Sequence, residues 1–122
     1  MSATDYLGTY AEGWANGDCE TILSATSDSF IFDDPNVGTV AKREFTDFFA
    51  GLREDVASMR GGEYEGPFME LTEVVTKDED GVLTASCWWE LPGTGIRGSG
   101  LIKVTDDGVV SERIAYYTKL PE

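Results

Sequence analysis

At 122 residues the chain has the length of one ordinary domain, 1–122, enough to bury roughly two thirds of the surface its unfolded form exposes. Apolar residues at 41% and charged residues at 26% lie near the averages of a soluble globular fold and argue against disorder or a fibrous repeat. Nine Lys and Arg against 23 Asp and Glu leave a formal charge of -14, which repels phosphate backbones and anionic headgroups and so argues against nucleic acid or a membrane as partner.

In chain order, Tyr6, Leu7, Tyr10, Ala11 and Trp14 recur at helical spacing and predict a helix over 4–15, with Thr4 as N-cap and Asn16-Gly17 as its stop. Gly8 and Gly13 within it either let another element approach closely or simply weaken the helix, by up to about 1 kcal/mol each relative to Ala. Asp18 caps a short second helix carrying Ile22, Leu23 and Ala25, and Ser29-Phe30-Ile31-Phe32-Asp33 then reads as a strand. Asp34-Pro35 ends it. A residue before proline is pushed toward extended geometry, so Asp34 takes the strand's last position, at the rim of whatever the strand lines.

Phe45, Phe48, Phe49, Leu52, Val56 and Met59 share one face of a third helix of roughly four turns, with Gly61-Gly62 beyond. Strands follow near 67–77, 82–91, 95–105 and 109–119. They are separated by Asp78-Glu79-Asp80-Gly81, Pro92-Gly93 and Asp106-Asp107-Gly108, hairpin turns that predict an antiparallel sheet. Helices first and a strand meander afterwards give an α+β fold, with three N-terminal helices packed on one face of a curved antiparallel sheet.

In the strand at 82–91, Leu83, Ala85, Cys87, Trp89 and Leu91 share one face, and Val82, Thr84, Ser86 and Trp88 the other. Helices covering one face leave Trp88 in water, and an exposed Trp among β-branched neighbours predicts a homodimer through the open face of the sheet. The alternative is that a C-terminal tail or a strand curl covers that ring within one chain.

Residue types narrow the chemistry. Histidine is absent, so no Ser-His triad, Cys-His pair or histidine-ligated zinc can form, and acid-base work falls to Asp, Glu, Tyr, Lys or Arg. Cys19 and Cys87 are far apart and flank no C-x-x-C, so each reads as a free thiol packed as a small hydrophobe. Gly93-Thr94-Gly95-Ile96-Arg97-Gly98 matches G-x-G-x-x-G, but a strand rather than a helix follows, which removes the helix N-terminus that a pyrophosphate needs. Neither metal nor cofactor is expected. The start, Met1-Ser2-Ala3-Thr4-Asp5, lacks the basic and apolar stretches of a signal peptide, and no run approaches the about 18 apolar residues that span a bilayer, so a cytoplasmic protein is expected.

Tyr10-Ala11-Glu12-Gly13-Trp14-Ala15-Asn16-Gly17-Asp18 and Phe30-Ile31-Phe32-Asp33-Asp34-Pro35, together with the order of elements, resemble the nuclear transport factor 2-like superfamily in its SnoaL-like and ketosteroid-isomerase-like branch, over nearly the whole chain. The resemblance implies a cone-shaped, cystatin-like α+β roll holding a small apolar ligand. It places Tyr10 where the isomerases carry an oxyanion-hole tyrosine and Asp34 where they carry a proton-shuttling carboxylate. Such a pair moves a proton beside a carbonyl while the phenol hydrogen-bonds the developing enolate. The family's second oxyanion donor, a protonated Asp, has no counterpart around Gly98-Ser99-Gly100, where Ser99 is the available donor.

Glu112 shares a strand face with Val110, Ile114 and Tyr116, a face that is pocket-directed in the family. It either enters the cavity beside Asp34, where burial raises a carboxyl pKa, or pairs with Arg97 or Arg113 at the surface. Trp14, Phe30, Phe32, Phe49, Met59, Trp89 and Tyr116 are candidates to line the cavity. Two functions fit: a cofactor-free isomerase, cyclase, dehydratase or hydrolase acting on a small apolar carbonyl compound, or a non-catalytic ligand-binding or dimeric assembly domain of the same fold.

Overall fold

The first helix begins earlier than its apolar periodicity suggests, because a better cap precedes Thr4. In the computed structural model of the chain, which describes residues 1–117, Ser2 caps α1 (Ala3–Asn16). Its hydroxyl accepts from the Asp5 amide at 3.2 Å, and the Asp5 carboxylate accepts from the Ser2 amide at 3.1 Å, so two otherwise orphaned donors are satisfied. Asp18 caps α2 (Cys19–Ser24) by accepting from the Thr21 amide at 3.2 Å. A Cβ at Gly13 would sit 2.7 Å from the Ile22 nitrogen, whereas Gly8 faces open space; close approach therefore explains Gly13, where the two helices meet.

Seven further elements follow: β1 (Thr26–Asp34), β2 (Gly38–Ala41), α3 (Lys42–Arg60), β3 (Glu70–Glu79), β4 (Val82–Leu91), β5 (Ile96–Thr105) and β6 (Gly108–Tyr116). They build one six-stranded sheet in the order β2-β1-β6-β5-β4-β3. The expected antiparallel sheet is mixed: every other pairing is antiparallel, but β1 runs parallel to β6, with Phe32 beside Glu112. Turn residues dictate direction only between consecutive strands, and no turn joins β1 to β6. The short β2 is an addition that no run of alternating residues announced. The last two residues of the expected strand 109–119 lie outside the described residues.

The helices cover the inner face of this sheet, where an aromatic cluster fills the space: Trp14 stands 5.3 Å from Phe49 and 5.7 Å from Phe32, ring centre to ring centre. Burying each such side chain stabilises the fold by about 1.5–3 kcal/mol. The two neighbouring tryptophans divide as expected, Trp89 being 6% exposed and Trp88 46%. On β6 the pairing slips between Lys103 and Val104, which leaves Val110 out of register and puts Val109, Glu112 and Ile114 on the buried side. Among the described residues no helix is long and apolar enough to cross a membrane.

Candidate functional site

Three elements bring four polar side chains into one apolar space. Tyr10 projects from the middle of α1, Asp34 closes β1, and Glu112 and Tyr116 alternate onto the inner face of β6. Asp34 is fixed by its own turn: its Oδ1 accepts from the Asn36 amide at 2.8 Å, as the Asp-Pro-Asn sequence favours, leaving Oδ2 to accept from the Tyr116 hydroxyl at 2.7 Å. Glu112 is fixed from the helix side, where the Tyr10 hydroxyl donates to its Oε1 at 2.5 Å. Two phenol–carboxyl pairs therefore meet in one site.

These side chains line a cavity of about 780 Å³. Phe32, Met69, Trp89, Leu91 and Ile102 supply buried apolar wall, and the exposed Asn36, Val37, Asp47, Asp55 and Met59 mark its mouth. Among the described residues the lining carries four carboxyl groups, of Asp34, Asp47, Asp55 and Glu112, and no lysine or arginine. Glu112 has room because position 100 is glycine: a Cβ there would collide with its Oε2. Gly98 does the same for the Trp89 ring, which a Cβ would approach to 2.6 Å. Among the described residues the indole N–H groups of Trp14 and Trp89 are buried without a partner, and no group of three or more Cys, Asp or Glu is placed to hold a metal ion.

Burial governs the protonation of this site. Taking Glu112 out of water pushes its carboxyl up to about 7, and the hydrogen bond from Tyr10 opposes that rise only in part. Burial first, then the charge of Glu112 and the bond to it, holds the Tyr10 phenol well above its ordinary range. The Tyr116 phenol is raised by burial and by its bond to Asp34. Burial and the Glu112 charge push the Cys87 thiol up to about 11, so it stays protonated at neutral pH.

Of the residues singled out in the sequence, Tyr10, Trp14, Phe32, Asp34, Met59, Trp89, Glu112 and Tyr116 line the cavity. Phe30 and Phe49 do not; both are buried behind it as core. Ser99 is on the wrong face for the donor role considered for it. Strand alternation turns Gly98 and Gly100 inward and Ser99 outward beside Trp88, in a shallow outer groove. The surface pairing considered for Glu112 is also absent, since Arg113 stands 3.5 Å from Asp33 instead, and Arg97 donates to the Tyr117 carbonyl. Tyr10 and Asp34 are not bonded to each other; each has its own partner. Sequence reading missed Asn36 and Met69. The Asp-Pro-Asn turn signals the first, while Met69, just before β3, carries no local signal.

No protein-family model and no curated protein matches the chain. Solved structures do. A protein from Xanthomonas campestris pv. campestris, named provisionally as a polyketide cyclase, superposes with a TM-score of 0.64 at 16% identity, covering 94% of this chain and 90% of that one. An NTF2-like protein from Anabaena variabilis gives 0.66 at 16% identity over 96% and 87% of the two chains. A protein from Parabacteroides distasonis, named provisionally as a ketosteroid isomerase, gives 0.67 at 11% identity over 94% and 87%. At such low identity the likeness speaks for architecture alone: the chain has the fold of the NTF2-like, ketosteroid-isomerase-like proteins.

Proposed function

We propose that the cavity binds a small, neutral, apolar carbonyl compound and moves a proton on the carbon beside the carbonyl, with Asp34 as base and Tyr10 as hydrogen-bond donor to the oxygen. The observation that carries this reading is the convergence of two phenol–carboxyl pairs, Tyr10–Glu112 and Tyr116–Asp34, on one apolar cavity. A carboxylate removes the proton to give an enolate, and a preorganised donor stabilises the oxygen on which the charge develops. Among the described residues the lining has carboxyl groups and no lysine or arginine, which favours a neutral ligand over a carboxylic acid. The provisional names of two structural neighbours, a polyketide cyclase and a ketosteroid isomerase, fit carbonyl chemistry.

Exchange of α-protons of neutral cyclic ketones in D2O, followed by NMR, tests it. Exchange should be accelerated by the protein and lost in Asp34→Asn. Exchange retained at full rate in that variant would remove Asp34 from the mechanism. Ketone binding without exchange would leave a ligand-binding domain, the other function compatible with this fold.

The outer face suits a second copy of the chain. Trp88, Leu101 and Val75 are exposed together on it, with Tyr117 packed against the Trp88 ring at 5.7 Å. Trp88→Glu should convert a dimer to monomer in analytical ultracentrifugation; a wild-type chain that is monomeric at high micromolar concentration would exclude this assembly.

A further inference from the structure

A phenol has one proton to give, and in this site the Tyr10 proton is already committed. The Tyr10 hydroxyl donates to Glu112 Oε1, its sole donation among the described residues. With Glu112 ionised, its carboxylate accepts only, so the phenol proton stays with it and a carbonyl oxygen reaching Tyr10 meets lone pairs. With Glu112 protonated, the carboxylic acid donates to the phenol oxygen and the phenol proton turns to the ligand.

We propose that Glu112 is a positioning residue that decides whether Tyr10 can donate to a ligand oxygen, so that the site grips carbonyl compounds only while Glu112 carries a proton. This rests on the reading of Tyr10 as the donor to the carbonyl. The surroundings of Glu112 make the switch its own. From α1 it meets Tyr10, which stays protonated, and from β4 Cys87, whose thiol is neutral until about pH 11. Phe32 stands beside it on β1, and Gly100 and Ile102 on β5. Of the remaining titratable groups of the cavity, Asp34 and Tyr116 are bonded to one another, and Asp47 and Asp55 of α3 stand exposed at its mouth. Among the described residues no cationic side chain lines the cavity to hold Glu112 charged, and its carboxyl, at about 7, changes state within the working range of most proteins.

Titration calorimetry with 1-tetralone, a neutral apolar ketone, and with tetralin, the same skeleton without the oxygen, provides the test at pH 5 and pH 9. Wild-type protein should bind tetralone about tenfold more weakly at pH 9, the effect of leaving a buried carbonyl unpaired, with a midpoint near 7, while tetralin affinity stays level. Glu112→Gln, whose amide donates to the phenol oxygen at every pH, should bind tetralone tightly at both values; Tyr10→Phe should bind it weakly at both. A wild-type tetralone affinity equal at pH 5 and pH 9 overturns the proposal while leaving the carbonyl-binding reading intact. Glu112→Gln retaining the wild-type decline overturns it too, because another group then titrates. Binding of neither compound at either pH sinks the carbonyl-binding reading and this inference with it.

Discussion

The two phenol–carboxyl pairs share their chemistry and differ in setting. Asp34 hangs on a turn, with a backbone amide on one oxygen and Tyr116 on the other, next to the exposed Asn36 and Val37. Glu112 lies under α1 in the middle of a strand, with Tyr10 as its hydrogen-bond donor and a glycine beneath it. A carboxyl given a single donor and little water, as Glu112 is, is pushed toward its neutral form. The same pair of residue types thus stands in two settings, and the proposed function gives them two roles, a base at Asp34 and a proton holder at Glu112.

The comparison can be broken most sharply at Asp34. Asp34→Asn should cost about 10²–10⁴-fold in α-proton exchange, the usual worth of a general base, and a smaller loss would make Asp34 and Glu112 interchangeable. At Glu112 the expected effect is on stability, and its sign follows from the direction of its shift. The folded carboxyl lies above its ordinary value of 4.5, so folding is favoured fully below pH 4.5 and that contribution is lost as pH rises through about 7. Glu112→Gln should therefore equal wild type near pH 4 in urea unfolding and exceed it at pH 8 by about 3 kcal/mol, at about 1.4 kcal/mol for each pH unit between the two values. A difference that does not grow with pH would mean that Glu112 is charged throughout. Smaller still, Gly100→Ala should destabilise by about 1–3 kcal/mol by crowding Glu112, and the cost should vanish in a Glu112→Ala background.

What the sequence discloses is what repeats locally. The third helix and the split of Trp88 from Trp89 follow from periods of 3.6 and 2, and both stand in the structure. Asp34 was legible because Asp-Pro marks a strand end and because the surrounding segment resembles a known family. The parallel β1–β6 pairing was not legible, since it joins segments about 80 residues apart with no turn between them. Nor was the irregularity at Val110, which breaks the alternation that would have been used to assign faces. Ser99 looked like a donor only so long as its face was unassigned; the glycines on either side, read as bends, make room for Trp89 and Glu112. The Tyr10–Glu112 contact spans 102 positions, and its sole trace in the sequence is a glycine on β5 two positions from the residue paired with Glu112.

The most direct measurement is a titration of the Glu112 side-chain carboxyl carbon by ¹³C NMR from pH 4 to pH 9, assigned by its disappearance in Glu112→Gln. A midpoint near 7 is the expected result. A midpoint close to 4.5, the ordinary glutamate value, would show a charged carboxylate at neutral pH and contradict the division of roles between the two pairs.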